Sequence, residues 1–428
     1  MWFWQPSSTR SALTPADTPS THQEAVVNLL PACLRAVLAG GLGGALAALL
    51  LLAVGMLQGW IWGDAVGGGL ATPRPLAWCL VVPTGLGVLL SLMGAQQSAG
   101  RLPEFGETLA AVRHRPANTA PEQHGSGGTR LRQVLTGGLA LIGGGSLGPE
   151  ALVSHAVMTM SRWIWHGRDR AVSTAALAGS LGFFGTPLVG PIALAGRHTT
   201  LLWRWLPGTL AGITGFIALQ GLRGLGHGLD AVPFHPPLQE PSPVGALMAA
   251  LAGGAMGCGC SHGLQSWRRW LRSRNQPHGH PLAPVLTGLA VGLSLWGAPL
   301  AAFSGETQLL PLLLDQWGPT PSLLLNGVLK LLLTGLCLET GWRGGLIFPV
   351  LVGSSAIGMG LHQLLPNLGP AALWYGSVTG GCLGTLLPSA LLALVLGLVL
   401  LQGHGAEALL IGLLLSQVLR QRGVRHGG

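Results

Sequence analysis

From about Val27 to Val418 this chain is a nearly unbroken succession of apolar stretches, most of them closed by glycine or proline. Soluble domains carry roughly 25% charged residues, whereas here 9% of 428 residues are charged and 49% are hydrophobic. Mean hydropathy is +0.51. A bilayer tolerates only structures that satisfy their own backbone hydrogen bonds, so the expected fold is an all-α, polytopic integral membrane protein. Apolar segments fall at roughly 30–62, 76–95, 131–145, 150–165, 171–183, 186–220, 244–262, 283–297, 320–338, 346–365, 370–383, 386–402 and 405–420. A straight crossing needs about 20 apolar residues, so the shorter segments predict helices that stop partway across. The backbone groups at such ends must be buried in protein or line a polar path. Glycine, at 69 residues, fits close helix approach better than flexible linkers.

The net charge of +9 is almost entirely arginine, with Lys330 the only lysine. The clusters Arg268, Arg269, Arg272 and Arg274, and Arg420, Arg422 and Arg425, read as loops and a tail on the cytoplasmic side by the positive-inside rule. They do not read as a nucleic-acid surface. Residues 1–25 lack the basic start and apolar core of a secretion signal and read as a disordered, cytoplasmic N-terminal tail before a single transmembrane domain at 26–425. The six cysteines lie mostly in apolar segments. Cys258 and Cys260 form the only close pair and read as small packing residues rather than a metal site.

One segment stands apart. Gly143-Gly144-Gly145-Ser146-Leu147-Gly148-Pro149-Glu150 sets a carboxylate directly after a glycine-rich turn at the start of an apolar helix. A charge at membrane depth costs roughly 2.5–3.5 kcal/mol on insertion scales, so such groups are read as functional by default. The N-terminus of a helix offers free N–H groups and partial positive charge to an anion, and Glu150 would compete with that anion. A weak echo follows in the second half, at Gly345-Leu346-Ile347-Phe348-Pro349. Thr186-Pro187 follows the first stretch and Leu387-Pro388 the second, 38 positions from Pro149 to Pro187 and 39 from Pro349 to Pro388. The chain thus reads as two related halves, about 30–222 and 244–420, in inverted orientation.

These residues resemble the CLC family of chloride channels and anion/proton exchangers. Ser146-Leu147-Gly148-Pro149-Glu150 resembles one anion-site signature with its gating glutamate. Phe184-Gly185-Thr186-Pro187-Leu188 resembles the segment that follows it, and Gly341-Trp342-Arg343-Gly344-Gly345-Leu346-Ile347-Phe348-Pro349 the second signature. The likeness runs over roughly 35–420. It implies that Glu150 is the gate and that Gly148 and Pro149, with the amides of Leu346 and Ile347 aligned by Gly345 (Phe348 if the register slips by one), form the anion site. It also implies a homodimer with one pore per subunit, in the cell membrane, without a cofactor.

Three departures bear on mechanism. Gly100, in Ala99-Gly100-Arg101-Leu102-Pro103, stands where the family has an anion-contacting serine, so either Ser98 takes that place by a shift or backbone amides alone at Gly100 bind the anion. The only tyrosine, Tyr375, lies one helix too early for the family's anion-contacting tyrosine. Arg197 falls where exchangers carry an inner glutamate, and an arginine cannot relay protons. The reading is therefore transmembrane movement of a small anion, chloride first, through a channel gated by Glu150, with anion/proton antiport as the alternative. Two other classes stay open, a non-transporting relative and an intramembrane hydrolase using Ser146 and His155; no enzyme activity is expected. Simpler roles are open to other residues: Glu150 as a helix cap, Lys330 snorkelling to a membrane boundary, and Glu339 with Arg343 as a local ion pair four residues apart.

Overall fold

In the computed structural model the described residues are 22–63, 74–95, 101–114, 127–164, 170–194, 201–223, 242–275, 279–314 and 318–426. They form 16 α-helices and, among the described residues, no strand longer than one isolated β-bridge. The first half holds α1 (His22–Trp62), α2 (Leu76–Leu92), α3 (Phe105–His114), α4 (Gly127–Ile142), α5 (Glu150–Ile164), α6 (Arg170–Ser180), α7 (Val189–Leu194) and α8 (Leu201–Arg223). The second holds α9 (Pro243–Asn275), α10 (Ala283–Gly297), α11 (Leu309–Leu313), α12 (Thr320–Glu339), α13 (Ile347–Leu364), α14 (Ala371–Leu386), α15 (Ala390–Leu400) and α16 (Ala406–His426). Five helices are long and apolar enough to cross a membrane, and the shorter apolar ones include α2, α10 and α15. The protein is a multi-pass membrane protein.

The packing repeats in the same order. In the first half α1 lies against α6 and α8; in the second, α9 lies against α14 and α16. Lipid supplies no hydrophobic drive between helices, so close contact needs small residues at the crossings. A side chain on Gly44 would collide with the backbone of Gly215, and one on Gly215 with Gly179. The second triplet does the same with Gly381 against Gly254 and Gly412 against Ser377. The cysteines of this triplet are part of the seam: Cys258 Sγ lies 3.8 Å from the Gly381 carbonyl and Cys382 Sγ 3.2 Å from that of Gly257. Large apolar side chains such as Leu34, Leu38, Met56, Leu92 and Leu286 stay exposed, as a lipid-facing surface requires.

Two expectations change. The arginines Arg268 to Arg274 lie on the last turns of α9, which runs on to Asn275, and Arg420 to Arg425 lie within α16. Both clusters are therefore on helix ends rather than in loops, since α9 and α16 stay helical beyond their apolar stretches. The stretch 186–220 is two helices, α7 and α8, not one. Most of the expected N-terminal tail and the boundary between the halves lie outside the described residues.

The seams predict that Gly215→Val lowers the thermal unfolding midpoint in detergent markedly, because overpacking a tight contact costs roughly 1–3 kcal/mol or more. Gly221→Ala, at a glycine with nothing within 4 Å of an added methyl, should leave that midpoint unchanged or slightly raised.

Candidate functional site

The site is built by two turns that meet across the halves. α4 ends at Ile142, and Gly144 takes φ +84° to turn the chain, a conformation open to glycine at little cost. Four residues beyond Gly144, the Gly148 N–H donates to the Gly345 carbonyl at 2.8 Å, and the Gly345 N–H donates back to the Gly148 carbonyl at 2.6 Å. This two-residue bridge pins the start of α5 against the start of α13. Pro149 has no N–H to leave unsatisfied where α5 starts, and its carbonyl accepts the first helical bond from Val153 at 2.8 Å. In α13 the first such bond runs from Val350 to Leu346 at 3.0 Å. Two helix N-termini thus converge on one buried spot.

Glu150 occupies that spot. Its side chain is fully buried, and Oε1 accepts a hydrogen bond from the Ile347 N–H at 2.6 Å. Oε2 is buried and, among the described residues, has no hydrogen-bond partner. A Cβ on either Gly148 or Gly345 would coincide with the Glu150 carboxyl, which explains glycine at both places. The carboxylate of one half therefore caps the helix of the other.

Polar contacts behind the turns hold them. Ser146 Oγ lies 2.9 Å from Thr334 Oγ1 and donates to the Lys330 carbonyl at 3.3 Å. Lys330 overturns the expectation of a snorkelling side chain: it is fully buried. Its Nζ donates to the carbonyls of Leu300 at 2.7 Å, Ala302 at 2.9 Å and Phe303 at 3.1 Å, and to Gln308 Oε1 at 3.1 Å. Lys330 lies on the face of α12 turned into the protein, while Val328 and Leu332 are exposed, and the segment before α11 supplies its ammonium with oxygens. That segment returns to the first turn, since the Phe303 N–H donates to the Gly144 carbonyl at 2.9 Å. Phe303 itself sits at φ +59°, a strained conformation for a bulky residue that these bonds maintain.

Glu339 and Arg343 do not form the expected pair. Glu339 Oε1 instead accepts from Arg268 Nε at 2.8 Å and Arg272 Nη2 at 2.9 Å, and Oε2 from Arg272 Nε at 3.0 Å. The α12 helix ends at Glu339 and the chain turns at Thr340 and Gly341, so Arg343 no longer follows on the helical face that four-residue spacing assumes. Arg343 donates through Nη1 to the Leu338 carbonyl. Arg268 also reaches Glu104 at 2.5 Å, which ties the segment after Gly100 to this cluster.

Two groups escaped the sequence reading. One is this charge network, for which Glu104 beside Pro103 was the available signal. The other is an aromatic group: Phe348 stacks on Phe184, with centroids 5.6 Å apart, Phe184 stacks on Phe183 at 4.2 Å, and Phe105 lies 6.0 Å from Phe184. It joins the first residues of α3, the turn before Thr186-Pro187 and the start of α13. Single phenylalanines spread over 240 positions carry no periodic signal. Gly100 and Arg197 lie outside the described residues. Tyr375 packs in α14 against Gly358, away from the paired turns. The hydroxyl of Ser146 is engaged with Thr334 and Lys330, and no contact joins it to His155, whose Nε2 is buried without a partner among the described residues.

A helical membrane protein whose two halves present helix starts to each other defines the architectural class. Residues 86–417 match the family model described as voltage gated chloride channel, and the chain belongs to that family. It is 28% identical over 341 residues to the "Putative ion-transport protein YfeO" of Shigella flexneri, covering 74% of this chain and 75% of that one. The protein of the same name from Escherichia coli O1:K1 is 27% identical over 345 residues, with the same coverage. Among solved structures, a slow cyanobacterial Cl−/H+ antiporter superposes with a TM-score of 0.70 at 18% identity, over 91% of this chain and 94% of that one. A CLC-type fluoride/proton antiporter gives 0.63 at 17%, over 94% and 96%. At these identities the two structures bear on the fold alone.

Lys330→Met is predicted to lower thermal stability strongly, since it strands several buried acceptors at roughly 1–3 kcal/mol each. A thermal shift in detergent, compared with the exposed change Leu325→Ala, checks this.

Proposed function

We propose that the protein conducts small anions, chloride first, across the cell membrane, and that Glu150 is the gate. The observation that carries this reading is the buried Glu150 carboxylate bonded to the Ile347 N–H: an anionic group already lies where two helix starts converge. Amides and helix dipoles hold an anion without the full charge of an arginine in direct contact, so the anion can also leave. When ionised, the carboxylate competes for this place; when protonated, it has less to gain there and gives way. Gly148 and Pro149 shape the first turn, and Gly345, Leu346, Ile347 and Phe348 the second. By the positive-inside rule the arginine-rich ends of α9 and α16 favour a cytoplasmic side there, with both termini inside. The family resemblance supports a homodimer with one pore in each subunit, and no cofactor is needed.

Passive conduction is the primary reading, because Arg197 stands at the position of the exchangers' inner acid. Antiport is the second, favoured by what the two superposing structures are described as doing. Purified protein in liposomes separates them. Chloride flux should rise as pH falls, because protonation displaces the carboxylate, and Glu150→Gln should conduct with that pH dependence flattened. A reversal potential that stays at the chloride equilibrium value under a proton gradient supports a channel, and a shift from it supports antiport. Absence of flux in wild type and variant at every pH refutes transport.

A further inference from the structure

A buried arginine lies close in sequence to the second of the paired turns. Arg343 comes two residues before Gly345 in the linker between α12 and α13, and only 6% of it is exposed. Its Nη1 donates to the Leu338 carbonyl, but its buried Nε–H has no hydrogen-bond partner among the described residues. The carboxylates nearby are already engaged. Glu339 accepts from Arg268 and Arg272 through both oxygens. Glu104 pairs with Arg101 at 3.2 Å and Arg268 at 2.5 Å, and Glu107 pairs with Arg101 at 2.7 Å. Four guanidinium groups thus face three carboxylates, and Arg343 is the cation with no carboxylate within ion-pair distance among the described residues.

Arg101 shares the neighbourhood. Gln133 Nε2 on α4 donates to the Arg101 carbonyl at 2.8 Å. One turn further along α4, a Cβ on Gly137 would meet the Leu102 side chain at 2.9 Å and the Arg343 carbonyl at 3.7 Å. The Arg101 Nε–H is likewise buried without a partner among the described residues. The cluster of four arginines and three carboxylates thus holds two buried guanidinium N–H donors without a partner among the described residues, together with one surplus positive charge. An unmade hydrogen bond from a buried charged group is costly. Water would satisfy the donors and leave the charge, whereas a small anion answers both.

We propose that Arg343, assisted by Arg101, forms an inner binding site for a small monovalent anion such as chloride. It would serve in place of the hydroxyl ligands that Gly100 and the displaced Tyr375 do not supply. The site rests on the anion-conduction reading above. Arg343 binds through its guanidinium edge, so anions arriving from the arginine-rich end of the molecule meet a charged site before they reach the amides at Ile347.

Calorimetric titration of the purified full-length protein with chloride tests the site directly. Arg343→Gln should weaken chloride binding by roughly tenfold or more, the scale of one lost charge-assisted hydrogen bond. Arg343→Lys keeps the charge and loses the Nε–H, and should fall between the two. Wild-type affinity in Arg343→Gln, or no chloride binding by the wild type, overturns the proposal. If the glutamine variant does not fold, the lysine variant decides alone: weakened binding supports the site and unchanged binding refutes it. Flux in liposomes keeps the two claims apart. Chloride binding that depends on Arg343 in a protein without flux removes conduction and leaves the site, whereas flux with an unchanged half-saturating chloride in Arg343→Gln removes the site and leaves conduction.

Discussion

Two hydrogen bonds between Gly148 and Gly345 hold together what the rest of the molecule prepares. Each joins a turn of one half to a turn of the other, and together they fix the starts of α5 and α13 against each other. A single helix start offers an anion few N–H groups and only a partial charge. Facing starts double that provision while keeping full cationic charge out of direct contact. Glycine is required at both positions because the Glu150 carboxyl fills the space that a side chain would take.

The buried charges sort by how they are satisfied. Lys330 has neutral oxygens around its ammonium and so fastens the loop before α11 to α12. Glu339 is saturated by arginines of α9 and secures the end of α12. Glu150, with one oxygen bonded and one free, and Arg343, with an idle N–H, are each incompletely satisfied. Buried charges are retained at a cost, and the two incomplete ones are those to which the proposals above assign an exchangeable partner.

Much of this was legible in the residues. Helices that stop partway were visible as short apolar segments, and α10 runs over the residues its apolar segment marked. The special standing of Glu150 followed from a single acid behind glycines, and its partner turn from the echo at Gly345. What could not be read depends on tertiary approach. The choice of Glu339 between Arg343 and the arginines of α9 turns on where α12 ends and on a helix some 70 residues earlier in the chain. Lys330 looked peripheral because its oxygen partners are backbone carbonyls, which any sequence can provide. The phenylalanines around Phe348 are brought together by three separate turns.

The central claim is that the Glu150 carboxylate and a transported anion compete for the Ile347 amide. The most direct measurement is the anomalous scattering of bromide in crystals of the wild type and of Glu150→Gln. The account predicts bromide within hydrogen-bond distance of the Ile347 nitrogen in the variant, at the place Oε1 holds in the wild type. Bromide absent from that amide in both proteins, at saturating concentration, would contradict it.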